Sequence, residues 1–255
     1  MQIKQIIENQ TFDEERALYN IQNTEVRNCT FAGPQDGESV LKETRQVRVD
    51  HCTFSLRYPL WHVQGYELIH SSLDELTRAP IWYSHHGLID SCDIQGIKIL
   101  RECSDTIVSN CQIQSPEFGW FCQDISIKDS EIHSEYMLLH SHHVKIDHLK
   151  FTGKYSFQYM HDLEITNSYL DTKDAFWHSS NVIVKDSVVK GEYLGWFSKN
   201  VTFINCQIIG TQPLCYCENL KLIDCEMIDC DLAFEYSDVQ ATIKGHVDSI
   251  KNVKS

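Results

Sequence analysis

Between Val182 and Ile208 the chain sets out one arrangement of apolar and polar positions twice, first as VIVKDSVV and then as VTFINCQI. Val182, Val184, Ser187 and Val189 of the first copy return as Val201, Phe203, Cys206 and Ile208, each 19 residues later. Apolar residues at i and i+2, a polar pair, a small residue and a further apolar residue predict two short strands joined by a corner. The small residue anchors a series along most of the chain: Cys29, Cys52, Ser71, Cys92, Cys111, Ser130, Leu149, Ser168, Ser187, Cys206 and Cys225. Its steps are 23, 19, 21 and then 19 throughout. Large apolar residues recur three positions before each anchor and two after it. Directly before it stands Asn, Asp or His, with Ser91 the exception.

A fixed period marks a repeat architecture. Units of 19 residues without helical periodicity are too short for a βα unit, which takes about 30. They suit one turn of a parallel β-helix, in which equivalent residues stack about 4.8 Å apart. The prediction is an all-β, single-stranded, right-handed parallel β-helix of about eleven rungs, a rod roughly 50 Å long. The Asn, Asp and His before each anchor fit corners that need a left-handed backbone.

One domain is expected, with residues 1–23 as an N-terminal cap, 24–240 as rungs and 241–255 as a closure. In the cap, MQIKQII reads as a capping strand and FDEERALY (12–19) as a turn or helical piece over the core. The longer steps carry loops at 32–39 and 71–80.

The third side of each rung precedes the corner and carries the candidate chemistry. The positions eleven and eight before the anchor are mostly apolar and small, so they read as inward, and the two between them as outward. One outward column is Trp61, Trp82, Arg101, Trp120, Leu139, Gln158, Trp177, Trp196, which holds all five Trp. The other is His62, Tyr83, Glu102, Phe121, His140, Tyr159, His178, Phe197, Tyr216. Such a stripe reads three ways: a platform for sugar rings, a subunit interface, or tryptophans turned into the core.

Composition narrows the partners. A net charge of −14 argues against nucleic acid and anionic membranes. MQIKQIIENQ lacks the apolar segment of a signal peptide, and the chain has no run long enough to span a bilayer. The eleven Cys fall mostly on inward columns, as reduced small hydrophobes do, so the expected location is the cytoplasm.

FDEERALY, GESVLKE, YPLW, KDAFWH, GEYLGWFSKN, LCYCENLKLIDC and LAFEYS together resemble an uncharacterised bacterial family of small right-handed parallel β-helices. Some of its members carry a hydrogenase label. The architecture is similar to that of pectate lyases and polygalacturonases, and the resemblance supplies a fold but no catalytic residues. Iron–sulfur and nickel–iron sites need clustered thiolates, whereas this chain has no CxxC and only Cys215-Tyr-Cys217. Hydrogenase activity is therefore not expected.

The function read from the sequence is carbohydrate binding, with modification by a lyase or hydrolase reaction left open. Its ligand-binding residues are Trp61, Trp82, Tyr83, Arg101, Glu102, Trp120, His140, Tyr159, Trp177, His178 and Trp196. The alternative is a scaffold that self-associates through the same stripe into a homo-oligomer. Asp174 and Glu192 are the pair nearest to glycosidase spacing, with Lys173 available to make them an ordinary ion pair. No cofactor and no metal are assigned. The residues best placed for an ion are His142 and His161, on adjacent rungs with His140, His143, Asp162 and His178 around them.

Overall fold

The computed structural model describes residues 1–33 and 38–255; positions 34–37 of the 32–39 loop lie outside the described residues. Among the described residues every regular element is a β-strand, and the strands form a parallel β-solenoid of about 12 turns at about 19-residue spacing. The chain divides into two compact units, Met1–Ile132 and His133–Ser255.

In the second unit a rung consists of a long strand, a corner, a short strand and a turn. Ser180–Lys185 pairs with Lys199–Ile204 so that Val182 meets Val201 and Val184 meets Phe203. Val188–Lys190 likewise sets Val189 beside Ile208. Alternation along the strand sends Val182, Val184 and Val189 into the core at 0% exposure, while Ile183 faces out. The first unit repeats the plan, with Val47, Val49 and Phe54 beneath Tyr66, Leu68 and Leu73. At every corner the residue before the anchor is left-handed, from Asn28 (φ 53°) to Asp224 (φ 54°). Asn, Asp and His accept that conformation at low cost.

The anchors do more than fill space. Cys52 Sγ donates to the Asp50 carbonyl at 3.4 Å, and Ser71 Oγ donates to the Ile69 carbonyl at 2.7 Å. Ser71 Oγ also accepts the Cys52 N–H from the rung below at 3.0 Å. A buried corner thus has its amides and carbonyls satisfied from within. One further column is filled by exchange: Tyr66 is 1% exposed, and its ring occupies the space that a Cβ on Gly87 would enter. Its hydroxyl reaches Thr106 Oγ1 at 3.4 Å, and burial pushes its pKa well above the usual value.

The ends depart from the expected boundaries. Gln5–Glu8 and Thr11–Phe12 pair in register with Gln22–Arg27 and Thr30–Ala32, so the period begins inside the stretch read as a cap. FDEERALY contains no helix; it is a turn that buries Ala17. Val239–Lys244 closes the second unit against Glu218–Ile228 with one register shift.

Candidate functional site: the aromatic turn

The turn that carries the candidate residues alternates in handedness. Asp174, Phe176 and His178 have φ of 52°, 64° and 55°. The Asp174 N–H reaches forward to the Glu192 carbonyl, Phe176 back to Ser156 and His178 forward to Trp196, at 2.9–3.0 Å. Left-handed backbone excludes β-branched side chains at low energy. The outward column accordingly contains none: His62, Tyr83, Glu102 and Phe121 in the first unit, and His140, Tyr159, His178, Phe197, Tyr216 and Tyr236 in the second. All ten have φ between 50° and 60°.

The tryptophan column is half-buried. Trp61, Trp177 and Trp196 donate Nε1–H to the carbonyls of Ala79, Tyr193 and Gln212 at 3.0, 2.6 and 2.9 Å. Gln158 makes the same bond to the Asp174 carbonyl at 2.7 Å. These side chains lie along the wall and brace the turn of the next rung. Trp177 and Trp196 stack at 5.4 Å and 4°. Arg101 takes the place of an indole, its guanidinium 5.0 Å from the Trp82 ring and 5.5 Å from the Trp120 ring. Trp82 differs in donating to Glu102 Oε1 at 3.3 Å.

The outward column differs between the units. In the second, six rings from His140 to Tyr236 stack face to face with centroids 4.6–5.5 Å apart. Each ring spends its faces on its neighbours and shows its edge to solvent. In the first unit His62 and Tyr83 stack at 5.0 Å, and then Glu102 interrupts the column before Phe121. Two rungs separate Tyr83 from Phe121, a gap of about 9–10 Å by strand spacing. A groove of about 570 Å³ opens there, lined by Tyr83, Glu102 and Phe121 of the column and by His85, Ser104 and Gln123 beside it, with the Arg101 guanidinium 5.8 Å from the Phe121 ring. Tyr83 is 36% and Phe121 46% exposed. His85 Nδ1 is 2.7 Å from Ser104 Oγ, and burial, followed by the charge of His86, lowers its pKa.

The flanking residues were missed from sequence, although their signal is present. His85, Ser104 and Gln123 recur at 19-residue spacing directly after the small inward position. Polar residues beside an exposed aromatic column mark the edge of a binding surface.

The other candidates fall elsewhere. Glu192 is exposed and takes a salt bridge from Lys173 Nζ at 2.8 Å. Asp174 is 8% exposed, and burial pushes its pKa up, opposed by Lys173. His161 has Nδ1 2.8 Å from Ser180 Oγ and Nε2 3.2 Å from Asp162 Oδ2. Asp162 also meets His143 at 3.3 Å and accepts Asn181 Nδ2 at 2.9 Å, so its oxygens are occupied. His142 is half-buried and packs edge-on against His143 at 5.1 Å. All eleven cysteines are buried and free. Burial pushes the thiols of Cys52 and Cys217 up to about 12, and those of Cys215 and Cys230 up to about 11.

This combination of rungs and turns defines a parallel β-solenoid with an aromatic face. The chain belongs to the family described as a protein of unknown function (DUF3737), whose model matches residues 5–255. No curated protein matches it. Among solved structures, it is similar to a tailspike, gp49 of Acinetobacter baumannii bacteriophage Fri1, described as a capsular polysaccharide depolymerase. That match has 9% identity and a TM-score of 0.50, and covers 89% of this chain and 57% of the tailspike. It is also similar to PfbA, a surface adhesin of Streptococcus pneumoniae, at 10% identity and a TM-score of 0.45, covering 89% and 86% of the two chains. At such identities the likeness concerns the fold alone.

Proposed function

We propose that the protein binds a carbohydrate in the groove between Tyr83 and Phe121. One observation carries the reading: Glu102 breaks the ring column, so the wall opens into a groove with an aromatic ring at each end and a carboxylate between them. A pyranose needs apolar contact on its C–H faces and acceptors for its hydroxyls, and the gap of about 9–10 Å admits one ring between two aromatic side chains. Glu102 lines the groove with one carboxylate oxygen shared by Trp82 Nε1 at 3.3 Å and Arg101 Nε at 3.7 Å. Arg101 pairs with Glu102 at 3.7 Å and lies 5.8 Å from the Phe121 ring, so the groove is close to neutral locally, and the net charge of −14 favours a neutral or amino sugar over a polyuronate. Eleven reduced thiols support a reducing, cytoplasmic setting for this activity.

A second reading rests on the other unit. With ring faces consumed by stacking, Tyr159 (45% exposed), Phe197 (47%) and Tyr236 (56%) offer a strip of edges suited to a second copy of the chain.

One set of variants tests both. Glycan arrays with the full chain, followed by calorimetry on the hits, should give a neutral or amino sugar. Tyr83→Asn and Phe121→Asn keep a residue that tolerates the left-handed turn, and each should weaken binding about fivefold. Phe197→Asn should bind as the wild type does. Absence of any such ligand, or unchanged affinity in Tyr83→Asn, overturns the carbohydrate reading. A wild-type dimer in sedimentation, dissociated by Phe197→Asn, would establish the second.

A further inference from the structure

On the first unit, at the corner between the long and short strands, two histidines converge on one carboxylate. Asp50 ends the strand Arg45–Asp50, His51 follows it, and His70 holds the equivalent corner one rung further on. Asp50 Oδ1 lies 2.6 Å from His51 Nδ1 and 3.0 Å from His70 Nδ1. The imidazoles are 4.8 Å apart, tilted by 37°. Both histidines are left-handed, with φ of 52° and 47°. Their backbones are fixed by N–H bonds to the Ile69 and Asp90 carbonyls at 3.2 and 3.1 Å. The backbone at both histidines is therefore set by the rungs themselves.

We propose that Asp50, His51 and His70 form a binding site for a divalent transition-metal ion of the zinc class. Two imidazoles and a carboxylate are a donor set that zinc accepts, with water completing a tetrahedron. Their ligand atoms all lie within 4.8 Å of one another, against about 3.3 Å between ligands of a tetrahedral zinc ion. Exposed side chains can supply that adjustment: His51 and His70 are 60% and 49% exposed. In the tautomer with its proton on Nδ1, each imidazole donates to Asp50. Binding moves that proton to Nε2 and turns the Nδ1 lone pair towards the ion, while the carboxylate exchanges two N–H partners for one cation. Asp90, on the rung beyond, adds a second negative charge near His70. The site lies at a different corner from the groove, and the proposal is independent of what the groove binds.

The test uses untagged, full-length protein and Zn(II) in competition with a chromophoric chelator. Co(II) serves as a visible-absorption probe of tetrahedral coordination. The expected result is one equivalent bound, with affinity lowered at least about tenfold in His51→Asn and in His70→Asn. Asparagine suits the left-handed corner, so both variants should fold. His161→Asn, at the other histidine cluster, should bind as the wild type does. Zinc should raise the melting temperature of the wild type and not that of His70→Asn. No binding by the wild type, undiminished binding by both corner variants, or equal loss in His161→Asn would each overturn the proposal.

Discussion

Ser168 shows how much depends on a single small side chain. Its hydroxyl donates to the Thr166 carbonyl at 2.7 Å and accepts the Leu149 N–H at 3.0 Å, at 5% exposure. Ser187 repeats both bonds one rung on, and Cys206 substitutes a sulfur that donates to Ile204 and Val184 at 3.3 Å. Ser and Cys share this column, Leu149 apart, because each is small and each carries a donor for a carbonyl that water cannot reach. Ser168→Ala should therefore cost about 1–3 kcal/mol, the penalty for a buried amide left without an acceptor. Ser168→Cys should cost less. Urea denaturation of the two variants checks this, and an alanine variant as stable as the wild type would reduce the hydroxyl to a space-filler.

At the scale of the element, the turn is governed by backbone handedness more than by burial. Phe197 is 47% exposed yet has φ of 60°, with Gly195 and Tyr193 also left-handed before it. Phe197→Val and Phe197→Asn both lose the ring, but only valine is strained there. The valine variant should be less stable by about 1–2 kcal/mol, measured by chemical denaturation. Equal stabilities would mean that the turn relaxes freely. This element is also where sequence reading ran short. The strands are legible because apolar residues must alternate, and the corners because Asn, Asp and His recur before the anchor. The turn leaves only a negative trace, the lack of Val, Ile and Thr in a column of rings. The half-buried tilt of Trp177 and Trp196 leaves no trace at all, because it depends on reaching the Tyr193 and Gln212 carbonyls. The earliest strands were read as a cap and not as a rung for another reason. Gln10 stands where an anchor belongs, so Ile7 and Phe12 lack the small residue that identifies a rung, although they pair with Val26 and Phe31. The groove was half visible: Tyr83 and Glu102 stood out, but its flank did not.

At the scale of the molecule, each unit is a succession of rungs in which a turn meets only its neighbours, and stability accumulates by adjacency. The eleven cysteines report on that accumulation. All are buried, none more than 3% exposed, so a reagent has no access to them in the closed rungs. A thiol reagent should therefore react slowly with native protein and count eleven equivalents in denaturant. Rapid native reaction of several thiols would show that the rungs open locally. The even period has a consequence for the gene as well. Ser180 pairs with Lys199, and Lys199 with Glu218, at one unbroken interval. A tandem duplication of 19 codons inside this stretch inserts a turn whose two edges already match their new neighbours. A duplication one codon longer or shorter reverses the facing of every residue in the strand it enters. Growth of this unit by whole turns is thus a single recombination event.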